Sequence, residues 1–304
     1  MDGVAAPAVE PIVLNPKGAA DFGRRHVILN GHATGPMRRE SFTGPFSIKT
    51  VVKGIATWET SRGRYDVTPG RYLILNHGTT YALSIARDQP VETFCLFFQD
   101  GFVEQACRSV TTADDRLLDT PDGDASAFEL LETLHDAADG NLYAIVSALH
   151  AAVRADGVAS LALSGAMHQA ATAIVGRSSA IAELSRRLPA TRASTRREIV
   201  RRLQRARDFI DAQIEHPLRL PDLAREACLS AFHFHRSFRA FYGETPHAYA
   251  TRRRLDRAAA RLKSTEIPVI DIGIDAGFEN AAHFSRAFKR RFGCPPQAYR
   301  RSRR

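Results

Sequence analysis

Two passages near the C-terminal end carry side chains suited to one kind of chemistry, hydrogen bonding to phosphates and to the edges of bases. The first runs from His233 to Tyr249 (HFHRSFRAFYGETPHAY) and the second from His283 to Tyr299 (HFSRAFKRRFGCPPQAY). His, Phe, Arg, Phe, Gly, Pro, Ala and Tyr recur in register, Arg236 matches Arg286, and Arg239 is matched by Lys289 with Arg290 beside it. A guanidinium is a planar fork of donors that can take a guanine edge or a phosphate bidentately, and an ammonium is a point charge suited to phosphate.

Such side chains need a rigid helix face, and the spacing supplies one. Phe234, Phe238 and Phe241 fall at i, i+4 and i+7, an apolar stripe that turns His235, Arg236 and Arg239 outward, with Phe232 opening the helix. Phe284, Phe288 and either Arg291 or Phe292 repeat the spacing and leave Ser285, Arg286, Lys289 and Arg290 outward, after the small pair Ala281 and Ala282. Each passage follows a short helix candidate, Pro221 to Cys228 and Pro268 to Gly277, the second turn being one residue longer. Short helix, turn and longer helix, twice over, predicts two helix-turn-helix units, at 220–242 and 268–292. Between them Pro246 to Lys263 predicts a helix of about 18 residues, so about 27 Å. Successive major-groove faces on one side of B-DNA lie about 34 Å apart, so a spacer of that length permits both longer helices to face one side of a duplex, with some bending.

The passage resembles the AraC/XylS family of transcriptional regulators. Its second unit has the family pattern G-F-x-x-x-x-x-F-x-R-x-F-K-x-x-x-G-x-x-P-x-x-Y-R at Gly277, Phe278, Phe284, Arg286, Phe288, Lys289, Gly293, Pro296, Tyr299 and Arg300. The match covers roughly residues 200 to 301; the rest resembles the family in layout. The resemblance implies double-stranded DNA, a small organic effector and, for an activator, RNA polymerase as partners. Base contacts are expected from Phe232, His235 and Arg236 in the first unit and from Ala282, Ser285 and Arg286 in the second. Arg239, Lys289 and Arg290 complete the expected DNA face. For Arg236 and Arg286 the structural alternative is a carboxylate partner within the domain.

Charge agrees with this placement. The 304 residues carry a net charge of +9, yet residues 191–304 hold 25 Lys and Arg against 12 Asp and Glu, and residues 1–190 hold 17 against 21. All the basic excess lies in the C-terminal segment, as expected of a surface held against phosphates. Hydrophobic residues make up 44% of the chain, enough for two cored domains. Cys95, Cys107, Cys228 and Cys294 have no paired spacing; Cys228, at the turn position of Gly277, reads as a small buried residue. The N-terminus lacks the basic start and apolar run of a signal peptide, and no run of about 18 apolar residues is present. A cytoplasmic protein with reduced thiols and no membrane partner is expected.

The expected fold is α+β and multidomain: a small cupin-like N-terminal β-barrel or sandwich followed by helices, then an all-α tandem helix-turn-helix domain. Residues 1–20 read as a flexible arm and 21–110 as a cupin-like effector-sensing domain. Strands are expected at Ser47–Val52, Ile55–Thr60, Arg64–Val67, Tyr72–Leu75, Tyr81–Ile85 and Glu92–Phe98, from β-branched and aromatic runs between turn residues. Asp66 to Gly70 with Arg71 to Asn76 resembles the cupin-like sensors common in such regulators. Trp58, Tyr72, His77 and Tyr81 are candidate effector contacts, with ordinary core as the alternative for the aromatics. Only His26, His32 and His77 occur between residues 26 and 100, without the His-x-His of metal cupins, so neither metal nor cofactor is expected. Asp114 to Asp124 reads as an acidic surface loop. Residues 128–153 and 158–176 show helical periodicity within a region, 125–188, that either supports the barrel or forms a homodimer face. A linker is expected at 189–195, then the DNA-binding domain at 196–304, opened by a capping box at Thr195 and Glu198.

Two other functions fit parts of the chain. Charge alone would suit an architectural DNA-binding protein with little sequence preference, but two different outward faces favour readout. A cupin-type enzyme with an appended DNA-binding domain would need a metal triad, phosphate loop or nucleophile turn, and the sequence offers none.

Overall fold

Strand β7 (Arg71–Leu75) is buried along its whole length, and its alternation shows how the N-terminal unit is layered. Tyr72 and Ile74 point to one side and join Ile28, Ile48, Phe94 and Leu96; Leu73 and Leu75 point to the other and join Trp58, Val67, Tyr81 and Phe97. A strand covered on both faces reads as a continuous apolar run, which is why residues 72–75 and 94–97 show no polar alternation.

The computed structural model describes residues 12–86, 90–111, 132–155, 160–190 and 192–302. The chain divides into two compact units, Met1–Ala182 and Glu183–Arg304. In the first, β1 (Val13–Leu14), β2 (Val27–Ala33), β9 (Val91–Phe97), β4 (Ser47–Lys53), β7 and β10 (Leu134–Asp136) form a six-stranded sheet in that order. A four-stranded sheet has the order β3 (Met37–Thr43), β8 (Thr80–Ile85), β5 (Ala56–Thr60) and β6 (Gly63–Val67). One core lies between the sheets. The other lies behind the larger sheet, where Val146 and Leu149 of α2 (Leu142–Arg154) and Leu163, Met167 and Ile174 of α3 (Ser160–Arg186) cover it. A short helix, α1 (Phe102–Thr111), follows β9. The unit is a two-sheet sandwich backed by helices.

Several expectations are corrected here. Residues 134–136, expected within a helix spanning 128–153, form β10, which pairs Leu134, His135 and Asp136 with Leu73, Tyr72 and Arg71. The open edge of β7 needed hydrogen-bond partners, and that tertiary demand outweighed local periodicity; helix begins only at Leu142. The arm expected over 1–20 is tied down at Val13 and Leu14, which pair in parallel with Val27 and Ile28. Asp114 to Asp124, and residues 128–131, lie outside the described residues. The segment expected as a linker at 189–195 is helical from Ala193. The capping box is absent, because the helix starts before Thr195 and Glu198 turns instead to Arg202, 2.8 Å away.

The second unit is helical. Its helices are α4 (Ala193–Ala212), α5 (Leu220–Glu226), α6 (Ala231–Tyr242), α7 (Pro246–Ser264), α8 (Val269–Asp275), α9 (Ala281–Phe292) and α10 (Pro296–Arg301). The two repeats are physically alike. Ser230 and Asn280 cap α6 and α9 by accepting from the backbone N–H of His233 and His283, at 3.3 and 2.8 Å. Gly243 and Gly293 end them in the left-handed conformation, at φ 77° and 78°. Phe234 meets Phe238 at 5.5 Å and 62°, and Phe284 meets Phe288 at 5.5 Å and 62°. Tyr249 and Tyr299 close the two packing groups edge-on to Phe238 and Phe288, at 5.8 and 5.3 Å. Burying each such ring contributes about 1.5–3 kcal/mol.

Candidate nucleic-acid interface

With the phenylalanine stripes of α6 and α9 buried, the remaining faces are fixed. Phe232 is 77% exposed, Arg236 and Arg239 are exposed, and His235 is half-buried on α6. On α9, Ala282, Arg286, Lys289 and Arg290 are exposed and Ser285 is half-buried. Arg236, Arg239, Arg286, Lys289 and Arg290 make no hydrogen bond or ion pair to any described residue, so the carboxylate partner considered for Arg236 and Arg286 is not found among them.

Neighbouring arginines behave differently. Arg252 bonds Glu244, Arg253 bonds Asp211 and Arg291 bonds Asp256, each at 2.8 Å or less. Arg254 donates to the carbonyls of Ile214 and His216 at 2.7 Å, tying α7 to the chain after α4. On α4, Arg202 reaches the Cys228 carbonyl at 2.9 Å and Arg205 the Glu226 carbonyl at 3.1 Å, so these two brace the first turn. The unit thus spends one set of arginines on its own framework and leaves five cations on two helix faces. The connecting helix α7 has 19 residues, about 28 Å long.

The turns correct one expectation. Cys228 is exposed rather than buried, and its backbone is left-handed at φ 50°, as is Gly277 at φ 78°. What the position requires is the turn conformation, not a small buried side chain. Arg205 Nη2 donates to Cys228 Sγ at 3.4 Å.

The four candidate effector residues do not converge. Trp58 and Tyr81 face the interior between the sheets. Tyr72 faces the helices behind the larger sheet and stacks on His135 at 5.0 Å, because alternation along β7 sets it opposite Leu73. His77 sits on an exposed turn with Nδ1 3.1 Å from Asp100. One group escaped the sequence reading. Lys49, in the middle of β4, is 1% exposed and points between the sheets, donating from Nζ to Tyr81 Oη at 2.8 Å. A lysine in a strand reads as solvent-facing, and nothing in SIKTVVK signals otherwise. Among the described residues, no three His, Cys, Asp or Glu side chains are grouped to hold a metal, and no helix is long and apolar enough to cross a membrane.

Two short-helix, turn, long-helix units joined by a rigid helix define a tandem helix-turn-helix protein, here carrying a β-sandwich. A family model described as a helix-turn-helix domain matches residues 223–302, and one described as an AraC-like ligand binding domain matches residues 26–171. The chain belongs to the AraC family, a family of non-enzymatic transcription regulators. It is 36% identical over 71 residues to the regulatory protein SoxS of Salmonella typhimurium, a match covering 23% of this chain and 66% of SoxS. It is 34% identical over 72 residues to the transcriptional regulator ArgR of Pseudomonas aeruginosa, covering 24% of this chain and 22% of that one. Among solved structures, an AraC-type regulator from Chromobacterium violaceum is 28% identical, covering 37% of this chain and 96% of its own, with a TM-score of 0.33. ToxT from Vibrio cholerae is 13% identical, covering 88% of this chain and 96% of its own, also with a TM-score of 0.33.

Proposed function

We propose that this chain is a sequence-specific DNA-binding regulator whose N-terminal sandwich responds to a small organic effector. In this reading α6 and α9 each enter a major groove. Phe232, His235 and Arg236, and Ala282, Ser285 and Arg286, lie at base edges, while Arg239, Lys289 and Arg290 neutralise phosphates. Phe232 meets a thymine methyl or a sugar, and the small Ala282 leaves the second unit fewer direct contacts.

The observation that carries the reading is the division of labour among cations. An arginine without a carboxylate partner beside others fully engaged is available for a ligand, and two copies of the same scaffold present such groups. Affinity then falls steeply with salt, and specificity resides in the base-edge group.

Footprinting of the full chain across its source genome tests this directly. A small number of discrete protected sites is the expected result, with neighbouring genes indicating the effector class. Uniform protection of any duplex would instead favour the architectural reading. RNA polymerase as a partner, and a homodimer formed through the helices of region 125–188, belong to the same proposal. Co-sedimentation and footprints with polymerase test them.

A further inference from the structure

The feature of the N-terminal unit that the fold itself does not require is the cluster around Lys49. Its register partners are Leu73 on β7 and Cys95 on β9, and Ile48 and Val51 beside it on β4 are fully buried. The ammonium lies 3.6 Å from the centre of the Phe97 ring and 4.4 Å from that of Tyr81. Both ring faces favour a cation, and the Tyr81 oxygen accepts its hydrogen bond. Lys49 has no ion pair with a described residue. A buried cation without its anion is costly, and an apolar residue here would pack the sandwich better.

We propose that Lys49 anchors the effector, and that the effector is a monoanionic organic acid whose carboxylate meets Lys49 Nζ and Tyr81 Oη while its apolar body lies between the sheets. This rests on the effector reading of the preceding subsection and adds a chemical class to it. One cation, one phenol and aromatic walls suit a single negative charge on an apolar body. A phosphate or dicarboxylate would leave a second charge buried among Trp58, Val67, Leu75 and Phe97, with nothing there to meet it.

An approach to the site is also present. Phe22 and Phe42, each half-buried, close over it: Phe22 lies 4.6 Å from Phe97 and 5.2 Å from Phe42, and Phe42 lies 5.8 Å from Tyr81. Phe22 stands outside the named strands, with only an isolated bridge to Arg25, and β3 is irregular between Arg39 and Phe42. The ring of Phe22, held by so little backbone pairing, can turn aside without breaking the sandwich, whereas Phe42 stays paired in register with Tyr81.

Protonation follows from the same geometry. Burial lowers the Lys49 amine to about 7, with Cys95 opposing in part. The titratable groups facing it are Tyr81 from β8 and Cys95 from β9, and burial raises both, so neither supplies a negative charge near pH 7. A bound carboxylate keeps Lys49 protonated, so binding takes up a proton above pH 7 and affinity falls up to about tenfold per pH unit there.

The test uses the full chain, with octanoate and benzoate as probes and octanamide and benzamide as matched neutral controls. Thermal stability and the fluorescence of Trp58, the only tryptophan and 1% exposed, are the readouts. The expected result is a response to a carboxylate and not to its amide, weakening above pH 7, at least tenfold weaker in Lys49→Met and partly weaker in Tyr81→Phe. The carboxylate–amide comparison on the unaltered chain stands even if Lys49→Met misfolds. Equal responses to acid and amide, or an unchanged response in Lys49→Met, overturn the anchor and leave the effector reading in place. Silence towards every probe overturns the monoanionic-acid class and leaves the effector reading to the genomic footprints.

Discussion

Gly277 and Cys228 hold the same position in the two helix-turn-helix turns, both with left-handed backbones, yet only one of them has room for a side chain. A Cβ on Gly277 would stand 3.0 Å from Arg254 Cζ and 3.2 Å from its Nε, and that guanidinium is fixed by the carbonyls of Ile214 and His216. At Cys228 the thiol is exposed and faces Arg205 instead. Exchanging the two residue types should therefore be asymmetric. Gly277→Cys adds left-handed strain of about 1–2 kcal/mol and disturbs two hydrogen bonds worth about 1 kcal/mol each. Cys228→Gly should stay within about 1 kcal/mol, strain relief offsetting unfolded-chain entropy. Urea unfolding of both variants decides it; a Gly277→Cys loss no larger than the left-handed strain alone would mean that Arg254 yields freely.

Phe232 and Phe234 are two residues apart and should behave oppositely. Phe234 is 0% exposed, and Phe234→Ala should cost about 3–5 kcal/mol of stability. Phe232→Ala should leave the free protein within about 0.5 kcal/mol and weaken specific DNA binding. Melting curves and gel shifts on both variants check this, and a destabilised Phe232→Ala would return that ring to a structural role.

Arg236→Ala and Lys289→Ala should weaken DNA binding in different ways. Loss of a bidentate base contact costs about 1–3 kcal/mol on the preferred site and relaxes preference there. Loss of a phosphate contact weakens all duplexes alike and lowers the salt slope by about one. Titrations of specific and random duplexes at several salt concentrations separate them. Identical losses on both duplexes for Arg236→Ala would remove it from the base-edge group.

Residues 183–304 should fold and bind DNA without the first unit. Leu255, Ile272, Phe284 and Phe288 form a core wholly within the segment, as do Phe234 and Phe238 with Tyr249. Circular dichroism and a gel shift on the fragment test this; an unfolded or inert fragment would show that the sandwich is needed.

Stability of the unliganded chain should rise from about pH 7 towards 9. Lys49 is lowered to about 7 in the folded state from 10.5, so the unfolded chain binds more protons across that window and folding gains as pH rises. Above 9.0 the raised Cys95 thiol opposes the trend, since its folded state holds the proton longer. Lys49→Met should flatten the slope and raise stability at pH 7. An unchanged slope in that variant would assign the pH dependence elsewhere.

The C-terminal unit was almost fully legible in the sequence, because its information is local. A stripe at i, i+4 and i+7, a Ser or Asn cap and a Gly end fix each helix within its own residues, and the repeat states the pattern twice. The outward faces of α6 and α9 followed from the same periodicity. Which arginines are spent internally did not, since Arg254 finds its carbonyls 40 and 38 residues away and Arg253 its carboxylate 42 residues away. The six strands expected between residues 47 and 98 were found within a residue or two, from β-branched runs between turns. Strands β1, β2, β3 and β10 were not legible: β1, β3 and β10 are edge or exposed segments whose only reason to be strands is the neighbour they pair with, and Asn30, Gly31 and His32 interrupt the apolar run of the inner strand β2. Lys49 marks the limit most clearly. Its residue type reads as surface, and only the closing of the second sheet over β4 places its charge in the interior, where the cost of burial turns a lysine into a candidate binding site.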